Sequence, residues 1–226
     1  MKKSAFILTM VVFFSSCKTL GDLGLKPSHL ETVFALQKIL DSSAFKAIKT
    51  LRSLADGGGD FLPKEVNSVL GTLKTLGYGD EIDKVKETIG SVSKIALSES
   101  EGVIGDAIKE IKFTDAVAVV LGGEDAATNV LKRAMYDTVK KRYSSQLGTE
   151  LNKTDVPKYW PLASNAYNIF AKNKVDNSLP DFLAERAVDA MFIAIGKEEA
   201  KARTDYKAIG DNVVNKVFDY YSKPKS

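Results

Sequence analysis

Cysteine and histidine each occur once in the 226 residues, as Cys17 and His29, and each scarcity removes a class of chemistry. A single cysteine forms no disulfide within its own chain. There is no G-x-S-x-G elbow and no thiol besides Cys17, so nucleophilic catalysis finds little support. An excess of one charge is also missing. Of thirty-two basic residues, a cut after Ser16 removes only Lys2 and Lys3, against twenty-nine acids, and the pI near 8.7 overstates the basicity that remains. This balance argues against nucleic acid, which is bound by a concentrated basic stripe. The densest basic run, Lys140-Lys141-Arg142, falls inside a helical pattern and reads as a solvated face. After Cys17 no segment is both apolar and long enough to span a bilayer, which takes about 20 residues. Strand signals are nearly absent as well. The one candidate, Val117 to Leu121, has helical flanks and no partner run.

The chain does have a distinctive start, MKKSAFILTMVVFFSSCKT. Lys2 and Lys3 precede an apolar run from Ala5 to Phe14, too short for a membrane span and of the right length for a signal peptide. Ordinary cleavage after Ser16 would put bulky Phe14 in a pocket that takes small residues. Phe14-Ser15-Ser16-Cys17 instead resembles the lipobox of bacterial lipoproteins, in which the cysteine is acylated through sulfur and becomes the new N-terminus. The expectation is a signal peptide over residues 1–16, then lipidated Cys17 and a flexible tether over 17–27. An all-helical domain over 28–222 and a disordered tail over 223–226 complete the chain. Lys18 lacks the aspartate that marks inner-membrane retention, so the expected location is the cell envelope, at the outer membrane facing the periplasm.

From Pro27 onward the periodicity is helical. Ser28-His29-Leu30-Glu31 has the form of a capping box, followed by Val33, Leu36, Ile39 and Leu40 at helical spacing and a second stretch over Ala44 to Leu54. Gly57-Gly58-Gly59 breaks the pattern. Val66, Val69, Leu70 and Leu73 mark the next helix, started near Pro63 and stopped at Gly77. Asp80 caps a long one bearing Ile82, Val85, Ile89, Val92, Ile95 and Ala96, with a softer pattern over Ser98 to Gly105. Ala116 to Leu121 is a short helix closed by Gly122-Gly123, and Glu124 opens another that carries Ala127, Leu131 and Val139. Pro157 and Pro161 bracket Tyr159-Trp160 at the start of the next. Asp181 caps the penultimate helix, and the last runs from Asn212 to Tyr221. The fold class is all-α, a single-domain bundle of about seven to nine helices.

The stretches IKFTDAVAVVLGGEDAATNVLKR (Ile111 to Arg133) and DFLAERAVDAMFIAIGKEEAKAR (Asp181 to Arg203), with the closing VVNKVFDYY, resemble bacterial domain of unknown function 4197. The resemblance runs from about residue 60 to 221 and leaves the part before Gly57 outside it. It implies an exported, mostly helical protein and brings no activity with it.

Four constellations are candidates for chemistry. Gly122-Gly123 ahead of a helix N-terminus presents free N–H groups of the kind that bind anions, yet no P-loop lysine follows, and Glu124 and Asp125 repel an anion. A tight helix–helix turn is the favoured reading. Asp181, Glu185 and Asp189 fall at i, i+4 and i+8 on one helix face. Carboxylate-bridged metal sites in bundles add histidines at Glu-x-x-His spacing, which are missing, so neither a metal nor another cofactor is expected and the row reads as a solvated face. Glu199 and Arg203 form an i,i+4 pair that, if buried, fixes one helix against another. Tyr159, Trp160, Tyr167 and Phe170 form an aromatic group that reads as core, or as the lining of an apolar pocket.

These features point to an envelope lipoprotein held to a membrane by its lipid. It is a non-enzymatic binding or scaffolding module with a protein partner in the envelope. The alternatives are a carrier of an apolar small molecule or lipid between helices, and a hydrolase using the three carboxylates. A scaffold has no enclosed apolar cavity, a carrier needs one of about 300 Å³ or more, and the hydrolase needs its carboxylates to converge.

Overall fold

A computed structural model of the chain describes residues 25–56, 62–75, 77 and 79–222. The signal segment, Cys17 and the tail over 223–226 lie outside the described residues, as does the tether up to residue 24. Eight α-helices and no strand are found among the described residues.

Helix α1 (His29–Asp56) starts at the capping box the sequence announces. The Ser28 N–H donates to Glu31 Oε2 at 2.8 Å, and the Glu31 N–H donates back to Ser28 Oγ at 3.2 Å. The two helical stretches expected here are one helix. Ser43 sits at the expected break, but its hydroxyl bonds the Ile39 carbonyl at 2.7 Å and is buried with it, so the helix runs on. Next, α2 (Lys64–Thr75) follows Pro63, whose carbonyl accepts the Asn67 N–H, and buries Val66, Val69, Leu70 and Leu73. Gly77, at φ +98°, turns the chain out of it in a left-handed conformation that favours glycine.

Helix α3 (Gly79–Glu110) is also unbroken. Glycines at 102 and 105 weaken its helix propensity, but Ile104 and Ile108 beside them are fully buried, and their packing overrides the local preference. Ile95, expected on the buried face, is exposed. The short α4 (Ala116–Leu121) is capped by Asp115, whose Oδ1 accepts the Ala118 N–H at 2.9 Å. After Gly122-Gly123 come α5 (Ala126–Leu151), α6 (Val156–Phe170) and α7 (Leu179–Thr204). Ser178, not Asp181, caps α7. Its Oγ accepts the Asp181 N–H at 3.4 Å, and it donates to Asp181 Oδ2 at 2.7 Å, so Asp181 lies inside the first turn. A 3-10 turn (Tyr206–Ile209) ends at left-handed Gly210, and α8 (Asn212–Ser222) closes the fold.

Two apolar cores result. The first gathers α1, α4, α8, the C-terminal part of α3, the start of α5 and most of α7 around Leu36, Ile39, Leu131, Ile195 and Val217. The second gathers α2, α6, the first half of α3, the end of α5 and the start of α7 around Leu70, Ile89, Leu147, Trp160 and Leu183. Helices α3, α5 and α7 thread both. The register of α5 and α7 follows from their bonds. Thr128 meets Glu199, Lys132 meets Asp189, Lys140 meets Glu185 and Ser144 meets Asp181, which makes the pair antiparallel.

Candidate functional site

Where the C-terminal part of α1 meets α3, α5 and α7, with Leu62 and Pro63 just ahead of α2, a half-open apolar pocket remains. Ala55, Ala96, Ala187 and Ala190 meet across it, with Ser93 and Ser100. The result is a cavity of about 340 Å³, walled mainly by aliphatic groups including Leu51, Ile89, Leu183 and Met191. Its polar floor is self-satisfied. Ser93 Oγ donates to the Ile89 carbonyl at 2.7 Å, so in its 2.5 Å contact with the Tyr143 hydroxyl the tyrosine is the donor. Burial pushes the Tyr143 phenol up, and the hydroxyl stays protonated. At the rim stands Arg186, whose guanidinium lies 5.1 Å from the Phe182 ring centre. No carboxylate among the described residues pairs with it. The cavity can therefore take an apolar group, with one cation at its edge and no charge inside.

The aromatic group expected to line a pocket does not do so. Trp160 is core, its indole N–H donating to the Asp176 carbonyl at 2.9 Å. Tyr159 and Tyr167 pack half-buried against the second core. Phe170 ends α6 exposed, because the chain leaves the helix in extended conformation at Ala171 and no described residue packs over it. No signal in the aromatic content marked the actual cavity, which is lined from α1, α3, α5 and α7 and by Leu62 and Pro63, all distant in sequence.

The most heavily bonded charged group is Glu199. It is 0% exposed, and Arg203 one turn on is 11% exposed. The carboxylate accepts the Ala127 N–H at 3.0 Å, and the Thr128 N–H and hydroxyl at 2.6 Å each. The Arg203 Nε–H completes the set at 2.7 Å. Arg203 then donates to the Val120 and Val119 carbonyls at 2.9 and 3.0 Å. One ion pair thus caps the C-terminal end of α4 and the N-terminal end of α5 across the Gly122-Gly123 turn. The anion that this helix N-terminus attracts is the protein's own. Close approach requires the small residues there. A Cβ on Gly122 would stand 3.0 Å from the Ala118 carbonyl oxygen, and one on Gly196 would stand 3.2 Å from Asp125 Cβ.

The acid row on α7 faces α5 and is taken up one residue at a time. Asp181 accepts from the Ser144 and Ser178 hydroxyls, which hold its carboxyl below the usual range. Glu185 pairs with Lys140 at 2.7 Å and Asp189 with Lys132 at 3.0 Å. The three carboxylates do not converge, and no cluster of three or more His, Cys, Asp or Glu suited to a metal occurs among the described residues. His29 lies in the first turn of α1, away from all of them.

Comparison with known proteins gives one match. The family model described as "Protein of unknown function (DUF4197)" matches residues 27–219. It therefore includes α1, which the sequence resemblance, starting near residue 60, left out. No curated protein and no solved structure matches the chain.

Proposed function

Since the chain belongs to the DUF4197 family, which brings no activity with it, we propose from the geometry that it is a cell-envelope module holding an apolar small molecule or lipid chain between α1, α3, α5 and α7. The cavity of about 340 Å³ carries this reading. It falls within the size range of small-molecule sites, which are mostly apolar with a few placed polar groups. The pocket is half open rather than an enclosed void, so its aliphatic wall faces solvent unless an apolar group covers it. Arg186 at the rim favours a ligand with one negative or polar end. The carboxylate row gives no support to a hydrolase, because each acid is engaged with a different partner on α5. Acylation at Cys17 would keep this module at the membrane from which such a ligand comes, and two or three acyl chains hold far more firmly than one.

Titration of the purified protein with an environment-sensitive apolar dye tests the binding reading. Saturable one-site binding is expected, lost in Ala187→Phe, which fills the cavity, and reduced by a competing fatty acid. Absence of saturable binding, or binding indifferent to Ala187→Phe, contradicts it. Arg186→Gln should weaken the fatty acid by about two- to fivefold, the scale of an exposed charge contact, and leave the corresponding alcohol unchanged. For the anchor, Cys17→Ser should turn membrane attachment that survives a wash in about 0.5 M salt, which screens charge contacts, into attachment that the wash removes.

A further inference from the structure

Helix α6 is apolar on both sides, and among the described residues only one side is covered. Trp160, Ala163 and Tyr167 face the second core. Leu162 and Ile169, seven residues apart and so on one helix face, point the other way and are 74% and 70% exposed. Ala166 lies between them, exposed too, and Phe170 extends the face at the C-terminal end at 91% exposed. Elsewhere α1 exposes Leu30 and Phe34 one turn apart, the latter only 38% exposed and with Lys38 over its ring, and Phe45 and Leu54 further along, while Ile95, Leu121 and Ile193 stand singly, which is ordinary for a protein surface. Three within nine residues on one helix are not, and contiguous apolar patches of this kind mark interaction sites.

Charge decides among occupants. Between Asp155 and Asp176 the sequence holds Lys158, Lys172 and Lys174 and no acid, and the Asp176 carboxylate is taken up by the Ser178 N–H at 2.7 Å. Lys158 is shared with Asp155 at 2.5 Å. Lys172 and Lys174 form no ion pair among the described residues; Lys174 donates to the Asn168 carbonyl, and Glu65 of α2 accepts from the Asn173 side chain at 3.2 Å. An apolar stripe flanked by lysines is the pattern of a helix that lies in a membrane interface, its apolar side among the acyl chains and its cations among anionic headgroups. A second copy of the chain fits less well, because pairing this face with itself brings the lysines of both copies together. We infer that the outer face of α6 docks on an anionic lipid surface, with Leu162, Ile169 and Phe170 entering the bilayer and Lys172 and Lys174 contacting headgroups.

This inference rests on α6 alone and stands apart from the cavity. Its test is local to the helix. The full chain carrying Cys17→Ser and Phe170→Cys has one thiol, which takes an NBD fluorophore; a control carries the label at Ile193→Cys on α7. Both are mixed with vesicles of brominated phosphatidylcholine, with and without an equal amount of phosphatidylglycerol. The label at 170 should be quenched by brominated acyl chains, more strongly with phosphatidylglycerol, and quenching should fall in 0.5 M salt. The label at 193 should stay bright even if another part of the chain reaches the membrane. Adding Leu162→Ser and Ile169→Ser, both exposed positions, should cut quenching at 170 at least fivefold. Equal quenching at both labels, or none at 170, overturns the inference. So does concentration-dependent dimer formation that dims the label without lipid.

Discussion

Glu199 and Arg203 show how much a single pair of residues holds in this fold. Any amide placed at 199 sets an NH₂ against two donors, because each carboxylate oxygen accepts two hydrogen bonds. Glu199→Gln should therefore lower stability by about 3–5 kcal/mol, the cost of breaking a buried charge pair, seen as a shift of the urea midpoint with unchanged m-value. Both halves of this arrangement were legible in the sequence, as an i,i+4 pair and as a Gly-Gly helix start suited to an anion. That they meet was not, since 71 residues separate Thr128 from Glu199 and no local pattern encodes a contact at that range. A second residue-scale expectation concerns Glu31. The Lys216 ammonium 2.6 Å away, with the Ser28 bonds, lowers its carboxyl from 4.5 to about 2. A lowered value in the folded state makes the pair's contribution fully present above the ordinary range and lost as pH falls from 4.5 through about 2. Carboxyl carbon NMR should place the Glu31 midpoint near 2, and Lys216→Met should return it toward the ordinary value.

At the scale of helices, caps and breaks were readable because their chemistry is local. The Ser28–Glu31 box and the ends of α4 fall where the sequence puts them, whereas Asp80 and Asp181, expected as caps, lie inside helices that begin at Gly79 and after Ser178. Two expected interruptions were not real, at Asp41 to Ser43 in α1 and at Ser98 to Gly105 in α3. In both, buried isoleucines and leucines on either side hold the helix through residues that disfavour it. The glycines of these helices are consequently of two kinds. Gly122→Ala would press a methyl group to within 3.0 Å of the Ala118 carbonyl oxygen and of Ala126 Cβ, and should cost about 1–3 kcal/mol. Gly102 in α3 has open space where a Cβ would go, so Gly102→Ala should add about 0.5–1 kcal/mol. Paired thermal denaturation of the two variants should move the midpoint in opposite directions; a common direction would contradict the distinction.

For the whole molecule, the all-helical class was legible because apolar residues recur at a period of 3.6 throughout and strand-type alternation is lacking. The cavity was not, because periodicity records which face is apolar and not whether the side chains of four helices fill the space between them. Ala55, Ala96 and Ala187 look like any core alanines until α1, α3 and α7 are seen to converge on them. The aromatic group failed as a pocket for the complementary reason: Trp160 is large enough to fill its surroundings completely. With acylation at Cys17 as proposed, an apolar hollow and an exposed apolar face on α6 would suit a module that takes its ligand at a membrane. The most direct measurement is native mass spectrometry of protein extracted gently from its own membranes, wild type beside Ala187→Phe. Wild type should carry a noncovalent apolar molecule at about one per chain, and the filled variant should carry none. Wild type without ligand, or the same adduct on both proteins, would contradict the account.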